Sequence, residues 1–167
     1  GELRLYQAVR EAVPVVDAAI CKLIRLSGGV QVFCGDAEVE TRLRHFLEQV
    51  PVGRGQYGIN AFLEQYLDSL LVYGRAVGEM VPAAGNHSLA ALLCGQAEQV
   101  ELREGESPLE FKICGPDDRG HMAELPYQEL LLFTPLHPEA EHPCGVSLLR
   151  GLPFMADILM KIYHTVG

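Results

Sequence analysis

Residues 137–144 read His137-Pro138-Glu139-Ala140-Glu141-His142-Pro143-Cys144, a run that sets imidazole, carboxylate and thiol groups, all competent zinc ligands, side by side. Its spacing does not suit a metal. Pro138 and Pro143 stiffen the run, no second ligand cluster lies elsewhere, and structural zinc sites draw on two separated pairs. The run reads as a polar loop between a strand and a helix. Next to it, Gly145-Val146-Ser147 matches the first half of a nucleophile elbow, in which a serine on a strained turn is followed by a second glycine. Leu149 stands where that glycine belongs, and no acid and base follow in the required order, so Ser147 is read as a helix cap. Residues 53–58, GRGQYG, are rich enough in glycine for a phosphate loop, but no Lys followed by Ser or Thr closes them and no clear strand leads in. They are expected to form a flexible connector with no nucleotide bound. His45, His87, His121 and His164 are scattered singly and read as solvated, while Cys21 beside Ile20 reads as a small core residue. The sequence therefore assigns no catalytic, metal-binding or cofactor-binding residue, and the chain is expected not to be an enzyme.

Composition sets the outer limits. A chain of 167 residues fits one domain, long enough to bury roughly two-thirds of its unfolded surface. Its net charge of −9, with only 13 Lys and Arg, repels a phosphate backbone and argues against tight wrapping of nucleic acid. Five cysteines, an odd number with no C-x-x-C pair, support neither a disulfide framework nor a zinc ribbon, so a reducing compartment is expected. No apolar run approaches the ~20 residues of a membrane span, and no secretory signal is visible. A first residue of Gly rather than Met leads us to expect an upstream segment.

The elements that must position these residues are organised around 60–82. Phe62, Leu63, Tyr66, Leu67, Leu70 and Leu71 recur at helical spacing behind Asn60 as a cap, and Gly74 supplies the left-handed stop. Residues 75–81 then alternate with a period of two, which predicts a strand with one face on the core. Upstream, residues 3–26 are helical throughout except at Pro14, which predicts two helices with Ser27-Gly28-Gly29 as the exit. Val30–Phe33 predicts a strand, and Asp36 caps a third helix that Pro51 ends. Downstream, strands are predicted over Leu89–Leu93, around Val100 and Leu109 as a hairpin with Leu102, Phe111 and Ile113 inward, and over Leu130–Phe133. GPDDRG is read as a loop. The last stretch predicts a short turn, a break at Pro153 and a helix whose seam is Leu148, Leu152, Met155, Leu159, Ile162 and Val166. The expected fold is α+β: a single domain over 1–167 with one mostly antiparallel sheet, helices on one of its faces, and a C-terminal helix leading onward.

Three stretches resemble the N-terminal half of a tailed-bacteriophage portal protein. LYQAVREAVPVVDAAICKLIRLSGGVQV is similar to the portal opening, in which a helix, a short break and a second helix lead to a strand. FLEQYLDSLLVYGRAVGEMV resembles the family's long helix ending in Tyr-Gly before a strand that carries an acidic residue, here Glu79. ELPYQELLLFTPLHPEAEHPCGVSLLRGLPFMADILMKIYHTVG resembles its strand, proline-containing loop, Gly-x-Ser-leucine turn and following helix. The resemblance covers most of the chain in the right order. It implies a structural subunit of a ring, typically of twelve, at the capsid vertex of the virion, assembled in the bacterial cytoplasm. Through that ring DNA is packaged and ejected without sequence-specific binding, and terminase, capsid and head-tail connector proteins dock on it. No membrane and no cofactor are implied.

One departure bears on assignment. The chain stops at Gly167, about where the family continues into the tunnel-lining stem and the clip that contacts the terminase, so those roles fall on no residue here. The chain resembles the outer wing, and by itself it is expected to be mainly monomeric. Two other classes remain as alternatives: a small hydrolase or metal-dependent enzyme, and a non-viral adaptor domain that binds a protein through an exposed apolar seam.

Overall fold

Pro14 lacks the amide that a continuous helix would need, and the N-terminal stretch divides there. Helix α1 spans Glu2–Ala12 and α2 spans Pro14–Ser27, with Pro14 in the first turn where a missing donor costs nothing. The computed structural model describes residues 1–85, 88–107 and 110–155, and over these the fold is α+β. Helix α3, Ala37–Gln49, starts at Asp36, whose carboxylate accepts from the amides of Glu38 and Val39. Helix α4, Ile59–Tyr73, ends at Gly74 in the left-handed region (φ 75°, ψ 5°), as the glycine predicted. Its start differs from expectation. Gly58 precedes the first turn, and the Asn60 side chain instead accepts from the Val30 amide at 3.2 Å.

Strand β3, Arg75–Pro82, follows Gly74 directly and is the centre of a three-stranded antiparallel sheet. Strand β4, Leu89–Cys94, lies on one side with Glu79 opposite Leu93, and β8, Leu131–Pro135, on the other with Val77 opposite Phe133. A second antiparallel sheet contains β5, Glu101–Glu104, β6, Phe111–Pro116, and β7, Met122–Glu124, in that order. The described strands form three sheets and not one, counting the hairpin of β1, Pro51–Gly53, and β2, Gln56–Tyr57. The described helices do lie on one face of the central sheet, as expected, and a second sheet covers the other. Ala76 and Leu132 face α4, whereas Val77, Leu131 and Phe133 face the second sheet through Val100 and Ile113.

Other local expectations are corrected too. Val30–Phe33 forms no strand, because side chains take its backbone donors at either end: Asn60 holds the Val30 amide and Glu40 the Cys34 amide at 3.0 Å. Residues 52–58, read as a flexible connector, are mostly hairpin. The loop read at GPDDRG is a tight turn, in which Asp117 accepts from the amides of Arg119 and His121, and it introduces the unforeseen β7. Phe111 sits at the end of its strand and is 53% exposed, while Leu109 lies outside the described residues. In the last stretch a turn over 148–151 gives way to helix from Leu152, as Pro153 predicted. Leu149, not Leu148, is the buried member of that turn, and Met155 is exposed; Leu159, Ile162 and Val166 lie outside the described residues.

Candidate functional site

The last turn of a helix leaves carbonyl groups without partners in the helix, and burying them requires donors from elsewhere. At the end of α4 those donors come from residues 136–148. The Ser147 hydroxyl donates to the Val72 carbonyl, the Leu148 amide to Leu71 at 3.2 Å, and the Leu136 amide to Gly74 at 2.7 Å. Leu136 in turn accepts from the Val146 amide at 2.8 Å. Ser147 also accepts from the Leu149 amide at 2.9 Å, so it caps its own turn while it caps α4. Two glycines make this approach possible. A Cβ on Gly74 would collide with the backbone of Val146 and Ser147, and one on Gly145 (φ 95°) would collide with the Gly74 carbonyl and with Leu136.

Apolar contacts close around the same point. Tyr6 of α1, Ile20 of α2, Val72 of α4 and Leu149 form one buried cluster, with Leu152 packed on its edge. Arg10 ties the three helices together, donating to Asp17 at 2.8 Å and to Asp68 at 2.6 Å. Burial works against its charge, but the hydrogen bonds to Asp68 and Asp17 more than offset this and hold it protonated. The Tyr6 hydroxyl donates to Glu2, and burial first, then that contact, push its pKa up to about 12. Burial, with Glu98 next, raises Tyr73 as well. Under α4, Tyr66 and Thr134 share a hydrogen bond at 2.8 Å, and burial pushes the Cys94 thiol up to about 11.

The residues nominated by chemistry are placed as follows. Glu139 and His142 exchange two backbone hydrogen bonds, at 3.2 and 3.0 Å, which fold residues 137–144 into a tight loop. The Glu139 carboxylate accepts twice from Arg150, at 2.9 and 3.0 Å, and so leaves the other would-be ligands for the stem of the last turn. No three His, Cys, Asp or Glu side chains converge on a metal-sized site among the described residues. Ser147 is 6% exposed and hydrogen-bonds to neither histidine nor carboxylate among the described residues; its hydroxyl holds structure. His121 lies on the β6–β7 turn, 3.7 Å from Asp117, and His45 is exposed; His87 and His164 lie outside the described residues. Cys21 is half-buried at the edge of a shallow cleft between α2 and α4, not in the core.

Sequence reasoning missed three features. The Arg10 triad joins residues far apart in sequence, and no local pattern marks it. The Gly74–Gly145 contact did carry a signal, since each glycine stands in a run that a spacing argument had set aside for another purpose. It also missed a groove of about 490 Å³ bounded by residues 30–33, α3 and the β1–β2 hairpin. No protein-family model matches the chain, and no curated protein matches it in sequence.

Proposed function

We propose that the chain is the wing-like part of a phage portal subunit, a structural component of a ring at the capsid vertex and not an enzyme. The observation that supports this reading is the junction at Gly74. Three stretches resemble the portal pattern independently in sequence, and in the fold all three meet there: Tyr6 and Ile20 from the first, Val72 and Gly74 from the second, and Gly145, Ser147 and Leu149 from the third. A buried, doubly capped joint suits an element that must hold direction under load, because each donor is fixed by a partner on another segment. In this reading the last turn, from Ser147 onward, sets the angle at which the chain leaves the wing. Terminase, connector and capsid proteins are the partners, DNA passes without sequence-specific contact, and the site of action is the virion.

The test is expression of the complete reading frame that contains these residues, followed by negative-stain microscopy. Rings with a central channel are expected, and so are neighbouring genes for a large terminase subunit and a major capsid protein. A complete product that forms no ring, from a locus lacking those genes, removes the reading.

A further inference from the structure

Residues 28–34 lead from α2 toward α3 with neither turn nor bend, yet pair with no strand among the described residues. Side chains hold the stretch at both ends, Asn60 at the Val30 amide and Glu40 at the Cys34 amide. Between those anchors the amides of Gln31, Val32 and Phe33 and the carbonyls of residues 30–33 meet no hydrogen-bond partner among the described residues. The same four residues line the groove of about 490 Å³. Half-buried Val32, Leu47 and Ile59 give it an apolar floor, and Phe33 and Tyr57, 78% and 61% exposed, an aromatic rim. Two charged side chains of α3 line it as well. Arg44 is offset by Glu40, with which it pairs, whereas Glu48 is exposed and forms no ion pair among the described residues.

We propose that this groove binds an extended, basic segment of a partner protein, which adds to Val30–Phe33 as a β-strand. The backbone selects the conformation. A helix satisfies its amides and carbonyls internally and cannot answer the open groups of residues 30–33, whereas an added strand exchanges both kinds of bond with them. Charge selects the composition. Glu48 is the uncompensated charge of the lining and the whole chain carries −9, so lysine or arginine is attracted and an anion is repelled. Successive side chains of a strand point to opposite sides, so a segment that alternates apolar and basic residues sets the former on Leu47 and Ile59 and keeps the latter at the exposed rim, where Glu48 stands. A second copy offering the same stretch, Val30-Gln31-Val32-Phe33, brings no cation. An added strand of this length is only about 13 Å long, far short of a standard protein interface, so the complex is transient. The contact depends on the groove alone and not on the portal reading.

The probe is a labelled peptide of alternating Lys and Val, about six residues long with both ends blocked, titrated with residues 1–167 and followed by fluorescence anisotropy. Saturable binding is expected. Methylating the peptide's backbone amides keeps its charge but removes the ladder bonds, and is expected to weaken binding about tenfold or more. Glu48→Gln, at an exposed position and with circular dichroism matched to the wild type, is expected to weaken it about two- to fivefold. A Glu-Val peptide is expected not to bind, and hydrogen exchange is expected to slow within residues 31–33 when the Lys-Val peptide is present. No saturable binding of that peptide, equal binding of its methylated form, indifference to Glu48→Gln, or protection of some other segment overturns the proposal. Protection of residues 31–33 without any peptide gives the groove to another part of this chain, or to a second copy if it grows with concentration, and overturns it too.

Discussion

At the residue scale two of the chemistry-bearing side chains, Glu139 and Ser147, turn out to hold the fold. Ser147, legible in the sequence as a cap, is one, but its second bond, to a carbonyl 75 residues earlier, was not legible because nothing local encodes it. Ser147→Ala leaves the buried Val72 carbonyl without its donor, which is expected to cost about 1–3 kcal/mol in chemical denaturation. Gly74→Ala is expected to cost well above the ~1–2 kcal/mol of a left-handed alanine alone, since its Cβ meets backbone that has nowhere to move. A Gly74→Ala loss below that of Ser147→Ala would mean that the joint is loose. A second expectation concerns alkaline pH. Cys94 and Tyr6 have folded pKa values raised from their ordinary 9.0 and 10.0 to about 11 and about 12, so the fold favours their neutral forms. Their contribution is fully present below pH 9 and is lost as pH rises through 11 and 12. Denaturation midpoints should fall over that window, with a shallower fall in Cys94→Ala; an unchanged slope in that variant would show that the thiol is not the group being titrated.

At the element scale, the parts read most directly were those whose signal is local. Pro14, Asp36 and Gly74 each act within one turn, and the boundaries they predict are found in α1, α2, α3 and α4. Strand identity was less local. Val30–Phe33 has the composition of a strand but pairs with no strand among the described residues, and β7 has a partner but only three residues, too few to show a period. The same distinction separates which face of α4 matters from which residue on it matters. Helical periodicity nominates Leu67 and Leu70 equally with their neighbours, yet Phe62, Tyr66 and Val72 are the buried ones, and Leu67 belongs to none of the three core clusters. Phe62→Ala is therefore expected to lose about 3–5 kcal/mol, and Leu67→Ala less than the ~2 kcal/mol lower limit for a core leucine. Equal losses in urea titrations would place α4 one step round from its observed rotation.

At the scale of the whole molecule, the layering was the part that sequence did not disclose. Each strand was read as having one inner face, so the strands were drawn side by side; β3 in fact buries both, with Ala76 against α4 and Val77 against Val100 and Ile113. A period of two cannot report this, because small residues at 76 and 78 look the same whether the opposite face meets water or a second sheet. The consequence is that β3 joins the clusters. It contributes Ala76 to the first and Val77 to the third, and Gly74, at its entrance, locks the turn whose Leu149 completes the second. Opening any one cluster strips an inner face from β3 or frees the end of α4, so the clusters are expected to unfold together. Far-ultraviolet circular dichroism, weighted to the helices, and tyrosine near-ultraviolet signals should give coincident transitions. Val77→Ala, which removes about two methylene groups from the interface between the sheets, should lower both by the same amount, about 2–3 kcal/mol. Hydrogen exchange supplies the sharper reading. If the amides of β6 exchange through an opening that leaves those of α4 protected, and Val77→Ala speeds only the former, then the acidic sheet is a separate cooperative unit resting on the rest, and the chain is not one domain.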